Sequence, residues 1–204
     1  GHDGSVHPWP LDNMGRKLDL YGENNFGTSK SYHVSGYLST WYGGFWHDSE
    51  FGSGHWTPYS DAPGKKIWIW SLARDGAIWE DLLTDNDGQY IEAQSGVKFN
   101  QANRESGYNS PYNQLSMRPY YTETKKEYWF PVIGTGGMAA ASDAGTMNIT
   151  YLDHGLKISI SPIISVNDSL KVWADGKLIF ASHIYLSPLK LYEQTLEDND
   201  INEG

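Results

Sequence analysis

The chain has 204 residues, no cysteine and a formal net charge of -10, from 15 Lys and Arg residues against 25 Asp and Glu residues. This length suffices for one domain with a substantial core, and the missing cysteine excludes disulfides and a thiol nucleophile. The acidic balance provides no basic field for nucleic-acid phosphates, and the absence of an apolar run of about 18 residues argues against membrane insertion.

Aromatic residues make up 14% of the chain, which also contains 22 glycines. Aromatic side chains suit the pleated surface of a sheet, whereas Gly and Asn suit turns. We therefore predict an all-β protein with many turns. We expect an extended N-terminal segment at residues 1–24, one packed domain at residues 25–192 and an acidic tail at residues 193–204.

The first predicted element is an aromatic segment at residues 32–59, with nine Phe, Trp or Tyr residues and no Lys or Arg. A pyranose ring offers apolar C–H faces for stacking and hydroxyls for hydrogen bonds, so aromatic faces with polar groups between them favour sugar binding. The alternative is that these rings fill the core of a sheet. The candidate sugar-binding residues of the segment are Trp41, Trp46, His47 and Trp56.

Histidines in the same segment are candidate proton carriers, because the imidazole titrates near neutral pH. His33 and His55 are the candidates for a catalytic role, and each has the alternative of an ordinary structural histidine. We predict no metal site, since the chain has neither an H-E-x-x-H pattern nor a cysteine.

Further along, residues 66–72 predict a buried strand, Asp75-Gly76 a hairpin turn and residues 77–83 the returning strand. In such a strand Glu80 and Asp81 point to opposite faces and cannot form a close catalytic pair. Glu80 alone remains a candidate catalytic carboxylate.

The alternation at residues 89–95 predicts another strand, with Ile91 and Ala93 on one side. The other side carries Tyr90, Glu92 and Gln94 and is polar enough to line a cleft. Glu92 is the leading catalytic candidate because it lies mid-strand rather than in a turn, and carboxylates serve as acid, base or nucleophile in sugar chemistry. The alternative for Glu92 is structural hydrogen bonding. Tyr90 and Gln94 are candidate substrate-binding residues.

The segment Asp85-Asn86-Asp87-Gly88 raises the question of calcium. When Gly88 takes the sixth position of a helix-loop-helix calcium loop, Leu83 falls at the first position and Gln94 at the twelfth, and neither suits a ligand there. We therefore expect no cofactor. Calcium held by Asp85 and Asp87 in a tighter turn is the alternative to a plain turn.

Residues 146–186 predict a meander of short strands that serves as scaffold. We expect its bends at Asp153-His154-Gly155, Asn167-Asp168-Ser169 and Asp175-Gly176, because these residue types favour turns.

Three motifs carry a family resemblance: FGTSKSYHV at residues 26–34, GHW at 54–56 and, most specifically, IWEDLLTDNDGQYIE at 78–92. Together they resemble an uncharacterised bacterial domain family with a galactose mutarotase-like fold, often followed by tetratricopeptide repeats. The resemblance covers about residues 21–192. It implies a β-supersandwich of two large, mostly antiparallel sheets, whose concave side can bind carbohydrate. That fold serves enzymes and binding domains alike.

Members of that family normally have further strands before the first motif and repeats after the last strand. Their apparent absence here would leave sheet edges unpaired, which favours association. We therefore expect a homo-oligomer or a companion chain that supplies the missing strands.

The sequence thus predicts a carbohydrate-active or carbohydrate-recognising domain. If it is an enzyme, we expect acid/base chemistry at an anomeric carbon, as in a glycoside hydrolase or epimerase, with Glu92 as base or nucleophile and a histidine as proton donor. The alternatives are a noncatalytic carbohydrate-binding module and a structural or assembly domain. No signal peptide is visible, and a glycan-handling role favours the periplasm or the extracellular space for the mature chain.

Overall fold

A computed structural model describes Leu11, Gly15, Lys17, the backbone of residues 30–33, and residues 40–70, 74–84, 90–97 and 118–198. Within these residues the protein is all-β with antiparallel strand pairing and one short helix, which confirms the predicted class. The short helix in the described part is not long and apolar enough to cross a membrane.

The described elements, in chain order, are twelve strands and one helix: β1 (Lys30–His33), β2 (Trp41–Trp46), β3 (Phe51–Trp56), β4 (Lys66–Ile69), α1 (Ala77–Leu83), β5 (Ile91–Gln94), β6 (Tyr128–Ile133), β7 (Ala140–Ser142), β8 (Gly145–Leu152), β9 (Gly155–Pro162), β10 (Val166–Ala174), β11 (Lys177–Leu186) and β12 (Tyr192–Glu197).

The chain divides into two compact units. Unit 1 comprises Gly1–Ser39 and Tyr59–Lys125, and unit 2 comprises Thr40–Pro58 and Lys126–Gly204. The domain boundary expected at residue 25 stays a prediction.

Unit 1 contains a three-stranded antiparallel sheet in the order β1-β4-β5. The predicted strand at residues 66–72 is confirmed as β4, which ends at Ile69. Its isoleucines alternate with Trp68, so that apolar and aromatic side chains occupy opposite faces. Ile69 is buried and anchors the apolar face.

The predicted returning strand at residues 77–83 is wrong, because Ala77–Leu83 forms the helix α1. Ala, Glu and Leu are strong helix formers, and Ile78 and Leu82 are four residues apart, as neighbours on one helix face are. The apolar residues that follow Asp75-Gly76 fit either a strand or a helix, so the pattern alone does not decide between them. Glu80 therefore lies on a helix, and its predicted placement opposite Asp81 on a strand is also wrong.

Unit 2 contains two antiparallel sheets, in the orders β2-β3-β6 and β12-β9-β8-β7, together with a two-stranded ribbon of β10 and β11. The two sheets contact each other through β2, β3 and β6 on one side and β7 and β8 on the other, as in a β-sandwich. Val132, Ile158 and Leu196 form part of the buried apolar core. Across the core, the Ile133 N–H donates to Ser161 Oγ at 3.1 Å.

In the predicted meander, the turns at residues 153–154 and 175–176 are confirmed. The bend predicted at residues 167–169 is wrong, because these residues lie inside β10 and pair with β11 residues 183–185. Cross-strand pairing overrides the turn preference of Asn, Asp and Ser here. The connection lies at residues 163–165 instead.

The acidic tail was expected to begin at Glu193. Residues 193–197 instead belong to β12, which pairs with β9, and Leu196 is only 1% exposed. The alternation of Glu193, Thr195 and Glu197 with the buried Leu196 is that of a half-buried strand. The acidic residues Glu193 and Glu197 lie on the exposed side of this strand.

Candidate functional site

One face of the unit 1 sheet combines aromatic and polar side chains. In the register of β4 and β5, Trp68 lies opposite Glu92 and Lys66 lies opposite Gln94. One row further along, the Trp70 N–H donates to the carbonyl of Tyr90 at 3.3 Å. Directly opposed residues of antiparallel strands share a face, so these side chains lie on one side of the sheet.

Four aromatic rings form a connected series at this face. The Trp68 and Trp70 rings are nearly parallel, with centroids 5.3 Å apart and an interplanar angle of 8°. Helix α1 contributes Trp79, whose ring lies 5.8 Å from Trp70 and 6.4 Å from Tyr90. The three indole N–H groups are buried and have no hydrogen-bond partner among the described residues. The rings thus provide a half-buried aromatic surface.

The Glu92 carboxylate is held beside these rings by Tyr90, which directly precedes β5, and by Gln94, which ends it. The Gln94 side-chain amide donates to Glu92 Oε2 at 2.6 Å. The Tyr90 hydroxyl also bonds to Glu92, and the pKa of Tyr90 is raised, first by burial and then by the charge and hydrogen bond of Glu92. The three side chains are half-buried. A fixed, partly accessible carboxylate of this kind can accept hydrogen bonds from hydroxyl groups.

The predicted alternation of β5 is present, and the structure brings Tyr90, Glu92 and Gln94 together. The backbone of His33 lies opposite Lys66, so His33 occupies a register row in the same sheet as Gln94. Glu80 follows Trp79 on α1 and is half-buried. Asp85 and Asp87, the residues considered for calcium, lie outside the described residues.

In unit 2, His55 lies in a row of the β2-β3-β6 sheet between Tyr42 and Trp129. The imidazole is fully buried, and its centroid lies 4.7 Å from the Tyr42 ring and 4.4 Å from the Trp129 ring. Its Nε2 lies 2.7 Å from Glu127 Oε1. Because an ionised carboxylate only accepts, Nε2 carries the proton. Among the described residues, Glu127 thus links the buried His55 to the surface.

Glu127 itself is 37% exposed, and the same Oε1 accepts a second hydrogen bond from Trp129 Nε1 at 2.9 Å. Two donors on one oxygen fix the orientation of the carboxylate. The neighbouring Tyr42 hydroxyl is buried, with no hydrogen-bond partner in the described part of the chain. Its burial raises the pKa of Tyr42 well above its usual range, and the charge of Glu127 adds to this.

The remaining predicted residues of unit 2 do not share one face. Trp41 and Trp56 lie opposite each other in one row, whereas Trp46 belongs to the other face and is 50% exposed. His47 is exposed in the turn after β2, with its ring edge-on to Phe45. The aromatic segment thus divides between two sides of the sheet.

Sequence reasoning missed Trp68, Trp70, Glu127 and Trp129. A signal for the first two exists in the alternation of Lys66-Ile67-Trp68-Ile69-Trp70, which places both indoles on one face of a strand. No comparable signal pairs Glu127 with His55, because their contact depends on the β3 and β6 register. Among the described residues, no group of three or more His, Asp and Glu side chains could hold a metal ion.

A family model described as "Domain of unknown function (DUF5107)" matches residues 1–132, about two thirds of the chain. The chain belongs to this family. No solved structure matches it.

The DUF5107 match ends at Val132, earlier than the resemblance expected to extend to residue 192. It includes Trp68, Trp70 and Glu92 of unit 1, here called the Glu92 group, and the His55 and Glu127 pair of unit 2. Strands β7 to β12 follow the matched residues. Both candidate sites are therefore built from residues within the DUF5107 match.

Proposed function

We propose that this protein recognises carbohydrate through the face of the unit 1 sheet that carries Trp68, Trp70 and Glu92. The observation that supports this most is the Glu92 carboxylate, held by Tyr90 and Gln94 beside two parallel indole rings. Sugar sites combine aromatic faces that stack on C–H groups with a few fixed polar groups that bind hydroxyls.

We also propose that the fold is a galactose mutarotase-like β-supersandwich, from a family in which tetratricopeptide repeats often follow this domain. The antiparallel sheets and the DUF5107 match support it at the level of class. In such folds the ligand lies on a sheet face, which is where the Glu92 group lies. The argument from fold is an analogy, so the chemistry of the site has to carry the function.

If the site is catalytic, Glu92 acts as base or nucleophile at an anomeric carbon. Of the two candidate catalytic histidines, His33 and His55, His33 has its backbone in the same sheet as Glu92. His33→Gln is therefore the first variant for the donor role. In the noncatalytic alternative the same surface binds sugar and forms no product.

A glycan array followed by product analysis on every hit tests the proposal. Enzymatic turnover that is lost in Glu92→Gln supports catalysis, and binding without product that is lost in Trp68→Ala supports a binding module. Asp81→Asn, which removes an exposed carboxylate of the same unit, is the matched control and should change neither. A folded protein that binds no glycan, or binding unaffected by both site variants, would contradict the proposal.

Assembly is a second candidate function, favoured by the ribbon of β10 and β11. In the described part of the chain these strands pair only with each other, and Trp173 and Tyr185 are 60% and 67% exposed. Unpaired strand edges and exposed aromatic rings favour association with a second copy or a companion chain. Light scattering with size-exclusion chromatography should then show a dimer or larger species that Trp173→Ser weakens, whereas a monomer at all concentrations opposes self-association.

A further inference from the structure

The β2-β3-β6 sheet has an exposed aromatic strip on the face that carries His55. Trp129 lies towards one end of this strip and is 51% exposed, while Trp46 and Phe51 form one row at the other end, at 50% and 46%. The two rows are four residues apart along the strands, about 13 Å at the usual rise per residue. This length suits a short oligosaccharide lying along the strands.

The middle of the strip is flat, because the row between the aromatic ends consists of Gly44, Ser53 and Pro131. No atom lies within 4 Å of the position that a Cβ on Gly44 would occupy, so the surface above it is open. Ser53 is exposed and its hydroxyl can bond to a ligand. A ligand can therefore contact both aromatic ends without displacing a side chain between them.

Glu127 provides a fixed polar group beside Trp129. It lies two residues before Trp129 and therefore on the same face of the strand. Its partly exposed carboxylate is oriented by His55 Nε2 and Trp129 Nε1. An indole face next to an oriented carboxylate is a combination that stacks on a pyranose and accepts hydrogen bonds from its hydroxyls.

The charge of the strip selects between ligand classes. Its three rows contain no Lys or Arg, and Glu127 provides an exposed negative charge beside them. The nearby Lys126 lies over the rings of Trp56 and Tyr128, which belong to the opposite face. The Glu127 carboxylate repels an acidic polymer or a nucleic acid, and the strip has no cation to offset this repulsion. A neutral sugar chain is not repelled.

From these observations we infer a second carbohydrate site, in which Trp129 and the row of Trp46 and Phe51 stack on a neutral oligosaccharide and Glu127 binds its hydroxyls. His55 is a positioning residue that acts through Glu127. This site uses none of the residues of the unit 1 site.

Affinity gel electrophoresis in neutral polysaccharides tests the site, with xylan, galactan, mannan and hydroxyethylcellulose as probes. At least one should retard the protein, and Trp129→Ala or Trp46→Ala should weaken retardation about tenfold or more, as for a principal contact. Tyr121→Ala removes a similarly exposed ring, at 54%, that belongs to neither site and serves as the matched control. The comparison is repeated in the Trp68→Ala Glu92→Gln double variant, in which the unit 1 site is disabled. Trp129→Ala should still weaken the remaining retardation there, which separates the two sites.

The role of His55 has a separate readout. His55→Phe should lower affinity by about as much as Glu127→Gln, while His55→Gln, which keeps a side-chain N–H donor, should restore much of it. Three results would overturn the inference: no retardation by any probe, retardation unchanged in both tryptophan variants, or a wild-type dimer that Trp46→Ala converts to a monomer. The last result would make this face an interface between copies.

Discussion

Removal of the Glu127 carboxylate tests the interaction that organises unit 2. In Glu127→Ala, the buried His55 Nε2 loses the acceptor at 2.7 Å, and the Trp129 indole N–H loses its acceptor at 2.9 Å. The two losses differ in cost, since His55 is fully buried, whereas Trp129 is half-exposed and can bond to water.

The expected cost follows from this difference. A buried donor left without its partner costs about 1–3 kcal/mol, while a donor that regains water costs little. We therefore expect Glu127→Ala to lower the free energy of unfolding by about 2 kcal/mol. For a chain of this size that corresponds to a fall in Tm of about 4–8 °C. Glu127→Gln keeps an acceptor oxygen and should cost less than about 1 kcal/mol.

Urea denaturation with hydrogen-exchange mass spectrometry on β3 and β6 provides the measurement, because local exchange reports on unit 2 alone. A double-mutant cycle with His55→Phe isolates the pair, and the coupling energy should be about 1–2 kcal/mol. Equal destabilisation by Glu127→Ala and Glu127→Gln, or a coupling energy near zero, would refute the assigned hydrogen bond.

Three further predictions concern unit 2. Tyr42→Phe removes a buried hydroxyl that has no partner among the described residues. Urea unfolding should therefore show an unchanged free energy of unfolding or a gain of about 1 kcal/mol, and a loss of about 1 kcal/mol would contradict this prediction. Gly54→Ala places a methyl group against the Phe130 ring and should cost about 1–3 kcal/mol by overpacking, with no cost if the ring moves aside freely. The hydrogen bond from Lys157 lowers the pKa of Glu193, so the pair stabilises the fold fully at neutral pH and this stability is lost as the pH falls through the lowered folded-state pKa. In K157M, an NMR titration should show the Glu193 pKa back in its ordinary range. An unchanged Glu193 pKa would exclude Lys157 as the cause.

The fold class could be predicted from the sequence because aromatic residues, glycines and turn signals are properties of composition and short patterns. Residues 90–94 also alternate as predicted, since a period of two identifies a strand face without knowledge of its partners. Residues 77–83 could not be assigned in this way. This seven-residue segment has apolar residues at both ends and two carboxylates between them, which fits both a strand and a helix, and strong helix formers decided the outcome.

The candidate sites show the same limit at the level of side chains. Tyr90, Glu92 and Gln94 were predicted together because they lie on one face of a single strand. Their aromatic neighbours Trp68 and Trp70 come from another strand, and only the register of β4 and β5 places them beside Glu92. Sequence distance therefore limits how much of a sheet-borne site can be predicted from one chain.

The pair of His55 and Glu127 takes this argument furthest. The two residues are 72 positions apart, and His55 was selected from its sequence surroundings alone. In the structure its imidazole is fully buried and its Nε2 bonds to a carboxylate that no local pattern identified. The residue that can meet a ligand is therefore Glu127, because it is the member of the pair that reaches the surface, and a substitution of His55 should act on binding through the orientation of that carboxylate.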